Sequence, residues 1–348
     1  MALSREDRLK LAVIDPELAE FLRTTSFPQV PETADTQKVI AGLRMYMKSQ
    51  HKPADPGTTG VTERDIYISA RDGFQLRARV FESVEKTQPP AATTTEGKPP
   101  LVVYYHGGGW TIGSPEDTAS SCRRIAKNLG VVCIAPSYRQ GPEDPFPASI
   151  NDAWDALQWL ASTDAEAELS VSLTAGFVIG GSSAGGAMTA ILTHLARDEG
   201  LASPITGSFL LAPMILPPET EVVLPDAHRE AYLSRTQEEC QHDPVLSPVL
   251  AKIFRDSAAG DPQSPLFVPY IWPTGHAGLP KAYLQICGMD TLRDEGLIYE
   301  QVLRESGTET KLDVYPGMPH IFWGSFPMLT QAKKAAVDLE DGIRWLLS

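Results

Sequence analysis

Five largely apolar runs, Leu101 to Tyr105, Val131 to Ala135, Phe177 to Ile179, Ser208 to Leu211 and Ala282 to Ile286, are separated by stretches long enough to be helices. A strand with one face in water alternates apolar with polar residues, so a continuous run implies burial on both faces. Helix-length spacers are what parallel strands need for their crossovers. The chain is therefore predicted to be an α/β protein with a central, mostly parallel sheet flanked by helices. At 348 residues with 42% hydrophobic residues it can bury a large core in one domain and still carry an insertion.

The flanks of this rhythm differ. The first 50 residues read as two helices, roughly Asp15 to Thr24 and Thr36 to Lys48, broken by the Pro28 to Pro31 stretch. Asp65 to Ser69 and Gln75 to Phe81 alternate around the turn signature Arg71-Asp72-Gly73, which predicts an antiparallel hairpin at a sheet edge. Thr87 to Pro100 is rich in Pro and Thr and is expected to be an exposed loop. Between Pro213 and Pro280 the rhythm stops for a length unsuited to a plain loop, which predicts an inserted lid. A helix near Asp294 to Ser306, a strand Lys311 to Tyr315 and an amphipathic helix from about Met328 to Leu347 close the chain. The expected organisation is a helical cap segment over 1–55, a catalytic domain over 56–212 and 281–348, and a cap insertion over 213–280.

A net charge of -14 disfavours phosphate backbones and anionic membranes, so neither nucleic acid nor a membrane is an expected partner. Charges in Met1 to Lys10 fall where a secretory signal needs its apolar core, and no run has the length of a membrane span. Cys122, Cys133, Cys240 and Cys287 lack CxxC spacing, which fits a reducing compartment. The expectation is a cytoplasmic protein, with homodimer formation left open.

The segment Phe177 to Gly186 runs from a buried strand through Gly-Gly-Ser-Ser-Ala-Gly-Gly into a good helix former. A serine nucleophile presented on a sharp strand-to-helix turn needs small residues two before and two after it, so that strand and helix can pass closely. Gly181 and Gly185 satisfy this around Ser183, while Ser182, with Gly180 and Ala184, is the competing register. A glycine-rich helix start can also bind phosphate, but there is no GxxxxGK[ST] and no GxGxxG after the first core strand.

Directly after that first strand stands His106-Gly-Gly-Gly-Trp110. Three consecutive glycines are costly to order, and they serve where backbone amides must face a ligand without side chains between. Acyl transfer needs such donors for the charge on the tetrahedral intermediate. Gly107, Gly108 and Ala184 are the expected oxyanion donors. His106 reads as an anchor of the glycine loop rather than a base or ligand. Trp110 reads as shaping the acyl pocket or packing under the lid.

An acid after a late strand and a histidine after the last complete the chemistry in the order Ser, Asp, His. Asp290 follows the run Ala282 to Ile286, while Asp294 and Glu295 stand in the first turn of the next helix, where acids favour the macrodipole. Of seven histidines only His320, in a Pro/Gly-rich loop after the last strand, fits. Ser183, Asp290 and His320 are thus the expected triad. No zinc spacing such as HExxH is present, and neither a metal nor another cofactor is expected.

These blocks, HGGGW at 106–110, Tyr138-Arg139 with Pro142-Glu143 and Phe146-Pro147-Ala148, GSSAGG at 181–186, Asp290 to Glu295 and His320, resemble in order the hormone-sensitive-lipase-like branch of the α/β-hydrolases. The likeness covers about residues 60–348. It implies the α/β-hydrolase fold with a helical cap, the same triad and oxyanion donors, and hydrolysis of a small or medium apolar ester, with a natural-product acyl ester in view. Two departures stand out: Ser182 replaces the Asp usual before the nucleophile, and Gln140-Gly141 replaces the Leu-Ala usual after Tyr-Arg.

The same branch implies alternatives, an acyltransferase or dehydratase-like enzyme and a non-catalytic small-molecule receptor. The retained His320 argues against the receptor, and Ser183 in place of Thr against the dehydratase. Trp110, Met214 and Leu216 are candidate substrate contacts, and Phe21, Phe27, Met45, Phe254 and Trp272 would join them if they face inward rather than forming lid core.

Overall fold

A computed structural model describes residues 3–25, 30–51, 56–85, 97–216 and 224–348. Eight strands form one sheet in the order β1-β2-β4-β3-β5-β6-β7-β8. They are β1 Val61–Ser69, β2 Gln75–Ser83, β3 Leu101–Tyr105, β4 Val132–Pro136, β5 Phe177–Ser182, β6 Gly207–Leu211, β7 Lys281–Cys287 and β8 Thr310–Tyr315. The hairpin β1-β2 is antiparallel and β1 forms the sheet edge, as its alternation predicts. β2 also pairs antiparallel with β4, and from β4 onward every pairing is parallel. The apolar runs thus became the buried strands, with bounds shifted by a residue or two, and β5 runs on to Ser182.

Both faces are covered. One core includes Val103, Ile134, Ile179, Leu210 and Leu284 and takes in the helices Ala148–Leu160, Ala184–Glu199 and Arg293–Glu305. The other holds Val102, Cys133, Val178, Phe209 and Leu211 beneath the helices Ala119–Leu129 and Thr330–Leu346. Gly207 and Gly342 allow this second layer to sit close, since a Cβ on Gly342 would lie 2.2 Å from the Tyr283 ring.

Above the carboxyl ends of the strands, Thr36–Gln50 and Pro248–Ala258 pack on each other and on the site through Ile40, Ile112, Leu246, Ile253, Phe254 and Leu292. Asp35 and Ser247 start these two helices by accepting Lys38 N and Leu250 N. Arg44 donates to the Thr111 and Gly141 carbonyls and to Glu143, latching the helix Thr36–Gln50 to the loops after β3 and β4. A further short helix, Arg5–Lys10, precedes the two expected from the sequence. Most of the Thr87 to Pro100 loop, and Phe27 and Pro28, lie outside the described residues. No helix among the described residues is long and apolar enough to cross a membrane.

Candidate active site

The turn after β5 sets the geometry. Ser183 has φ 55° and ψ -118°, a conformation an L-residue holds only when its surroundings force it. Its neighbours permit this because they lack side chains: a Cβ on Gly181 would lie 2.4 Å from the Gly185 carbonyl, and one on Gly185 only 2.2 Å from the Tyr105 oxygen. Ser183, not Ser182, sits at the bend and at the amino end of the helix Ala184–Glu199.

The late loops bring two further side chains to that hydroxyl. His320 Nε2 stands 2.9 Å from Ser183 Oγ, and its Nδ1 stands 2.6 Å from Asp290 Oδ2. An ionised carboxylate only accepts, so Nδ1 carries the proton and Nε2 is left to accept from the serine. Asp290 is fixed by Leu292 N, which donates to Oδ1 at 2.8 Å. The Asp290 and His320 loops are joined by Met289 N donating to the Met318 carbonyl at 2.9 Å. All three side chains are buried. Burial alone would push the imidazole pKa down, but the charge and hydrogen bond of Asp290, with Asp243 adding to them, hold it above its ordinary value.

Facing Ser183 is the glycine loop. Among the described residues no acceptor takes the amide N–H of Gly107, Gly108 or Ala184. Gly108 has φ 116°, and a Cβ there would meet the Ile112 carbonyl at 2.1 Å. His106 stacks on Tyr138 with centroids 4.2 Å apart, its Nδ1 donates to the Gly107 carbonyl at 2.7 Å, and Tyr138 Oη donates to the His106 carbonyl. It is positioned as the loop anchor the sequence suggests. Burial lowers its pKa, so the ring stays neutral.

Two spaces open from Ser183. The larger, about 480 Å³, has His320 in its wall and runs past Ser182 and Tyr104 between the helices Ala119–Leu129 and Thr330–Leu346. The smaller, about 30 Å³, lies between Gly109, Met214, Phe254, Phe267 and Leu292. Phe254 closes it by sitting where a Cβ of Gly109 would be, 2.5 Å away.

Of the expected substrate contacts, Met214 lines this smaller space. Trp110 and Leu216 line neither. Trp110 is buried against Tyr138 and Phe267 with φ 65°, and Leu216 is turned into the main core. Phe254 faces inward, Met45 is exposed, Phe21 packs on Phe326, and Trp272 stacks on His194.

Glu295 and Asp294 do more than complement a helix dipole. The Glu295 carboxylate accepts Ile215 N and Leu216 N at 2.7 Å each and pairs with Tyr232 and Arg235. Asp294 accepts Leu233 N and Ser234 N and pairs with Arg293 and Arg8. The backbone at Ile215, Leu216, Leu233 and Ser234 is thereby tied to the helix that follows Asp290. Gln140 Nε2 donates to the Gly113 carbonyl, and Gly141 leaves room for the Ser257 carbonyl, 2.3 Å from where its Cβ would be.

Asp243 escaped the sequence reading. Its Oδ2 accepts the His320 amide at 2.7 Å, and its Oδ1 accepts Val245 N and Leu246 N. Burial, and then the nearby Asp290 charge, push its pKa up to about 6. An Asp-Pro pair foretells the local turn, but nothing in the sequence points it at His320, 77 residues away.

Residues 102–324 match the family described as the alpha/beta hydrolase fold. The chain belongs to the α/β-hydrolase family. Over 344 residues, 97% of this chain and 95% of the relative, the hydrolase is 36% identical to AB hydrolase superfamily protein B1A11.02 of Schizosaccharomyces pombe. It is 28% identical over 240 residues to a versiconal hemiacetal acetate esterase of Dothistroma septosporum, covering 69% of this chain and 71% of that one. Its fold superposes on crystalline vibralactone cyclase with TM-score 0.81 at 30% identity, covering 97% and 96% of the two chains. The family context is that of esterase-type enzymes.

Proposed function

We propose that this α/β-hydrolase is a serine carboxylic-ester hydrolase working through an acyl-enzyme, with the segment 1–55 and the insertion 213–280 as its cap. The observation carrying the reading is the line Ser183 Oγ, His320 Nε2, His320 Nδ1, Asp290 Oδ2, with steps of 2.9 and 2.6 Å between residues, facing three amides without an acceptor among the described residues. His320 takes the Ser183 proton as Oγ attacks the ester carbonyl. The carbonyl oxygen becomes an oxyanion held by the Gly107, Gly108 and Ala184 amides. Asp290 keeps the imidazole oriented and stabilises its cation, and His320 then returns the proton to the departing alkoxide. A water, deprotonated by His320, releases the acid and restores Ser183.

Proton return requires the leaving group on the His320 side, which is the side of the large cavity. The acyl group then takes the smaller space closed by Phe254. This favours a small-molecule ester with a short acyl group and a bulky alcohol, and the named acetate esterase among the relatives supports it.

Ser183→Ala should lower kcat/KM on p-nitrophenyl acetate by several orders of magnitude at unchanged folding. Near-full activity of that variant refutes the assignment.

A further inference from the structure

The large cavity ends on a polar group that the reaction does not use. Ser182, Leu211 and Gln285 stand side by side across β5, β6 and β7. Paired residues share a sheet face, so Ser182 and Gln285 both look into the space under the C-terminal helix, roughly 10 Å or two strand spacings apart.

Gln285 is 1% exposed. Its Nε2 donates to the Ala335 carbonyl and to Tyr283 Oη, each at 2.9 Å. A carbonyl only accepts, so the amide orientation is fixed by chemistry and Oε1 is the free end. Among the described residues Oε1 accepts no hydrogen bond, although Gln285 lines the cavity. An amide oxygen without a protein donor in a cavity wall is left to accept from whatever fills the cavity, so this wall is complementary to a ligand that brings a donor.

The path to it is open because the side chains are small. Ser182 forms the throat, in polar contact with the hydroxyl of Tyr104, which also meets Ser121. Ala332 and Ala335 of the helix Thr330–Leu346 form the roof. An aspartate in place of Ser182 would put a charge and added bulk in the throat.

We infer that this inner cavity is a leaving-group subsite for a long, rigid alcohol, such as a fused two-ring phenol, that carries a distal hydroxyl donating to Gln285 Oε1. The inference rests on the esterase reading and narrows it. Ser182 sets what passes, and Gln285 selects for the donor.

The test uses four acetates with a common acyl-enzyme: phenyl, 2-naphthyl, 6-methoxy-2-naphthyl and 6-hydroxy-2-naphthyl. Deacylation is then identical, so kcat/KM, normalised to each ester's spontaneous hydrolysis, reads the leaving-group subsite alone. The wild-type protein should prefer the 6-hydroxy over the 6-methoxy ester by at least about tenfold, the worth of one buried hydrogen bond. Gln285→Leu should bring that ratio to about one. Ser182→Met should lower the naphthyl-to-phenyl ratio, a readout that stands even if Gln285→Leu fails to fold. Equal rates on the hydroxy and methoxy esters in the wild type, or a tenfold preference that survives in folded Gln285→Leu, overturn the subsite while leaving the esterase intact. No turnover of phenyl acetate overturns the esterase reading itself, and the subsite with it.

Discussion

Substituting alanine for Gly185 should damage the site from behind. The added Cβ would lie 2.2 Å from the Tyr105 oxygen and 2.6 Å from the His106 oxygen, where ordinary contact begins at 3.4 Å. Both obstacles are backbone, one in β3 and the other at the head of the glycine loop, so no side chain can rotate away. Strand and helix must separate by about 1 Å in a close-packed interior. Overpacking costs about 1–3 kcal/mol where side chains can yield, and a backbone-to-backbone clash belongs at or above the upper end.

The displaced carbonyls immediately precede Gly107, so the same shift carries the Gly107 and Gly108 amides, the proposed oxyanion donors, away from Ser183. Loss of one such donor costs about 10²–10³ in rate. Gly185→Ala is therefore expected to lose about 3 kcal/mol or more in urea denaturation, and its folded fraction to lose at least about 100-fold in kcat on p-nitrophenyl acetate. Two companions calibrate the result. Gly186→Ala meets Pro213 at 3.0 Å and should cost less, while Gly42→Ala, in a helix with nothing within 4 Å, should stabilise by about 0.5–1 kcal/mol. A Gly185→Ala variant with wild-type stability and kcat would refute the close-approach argument.

Two predictions concern protons. His320 must be neutral to act as a base, and its pKa is raised, so kcat/KM should fall on the acid side with a midpoint above 6.5. Asp243→Asn removes one of the charges that raise it, and the acid limb should move to lower pH; an unmoved limb in a folded variant excludes that coupling. His194, whose pKa burial lowers to about 3, accepts its proton on unfolding. Its depressed native pKa means stability present above pH 6.5 and lost as the pH falls toward 3, by up to about 5 kcal/mol. Urea midpoints across that range should show the slope, and His194→Gln should flatten it.

The sheet was legible because burial on both faces leaves its mark as largely apolar runs, and the bend at Ser183 because only glycine fits on either side of so close an approach. Asp290 and His320 followed from chain order and strand ends. What stayed hidden depends on partners distant in sequence. Trp110 follows three glycines and looks like a pocket wall, yet its positive φ turns it into Tyr138 and Phe267. Gln285 did carry a signal, a polar residue inside the apolar run Ala282 to Ile286, but its free oxygen depends on the Ala335 carbonyl, 50 positions on. Asp294 and Glu295 read as dipole partners because a helix start explains acids locally, while Ile215, Leu216, Leu233 and Ser234 come from a region without periodicity.

The backbone at Leu233 and Ser234 and at Ile215 and Leu216 is moored at Asp294 and Glu295, four and five residues beyond Asp290 and on the helix that begins at Arg293. Exchanging the proposed cap insertion with that of another enzyme would therefore strand two buried carboxylates beside the Asp290 loop unless the amides of Ile215, Leu216, Leu233 and Ser234 were reproduced. A transplant that changes selectivity without harming turnover has to move the roof and its moorings as one unit.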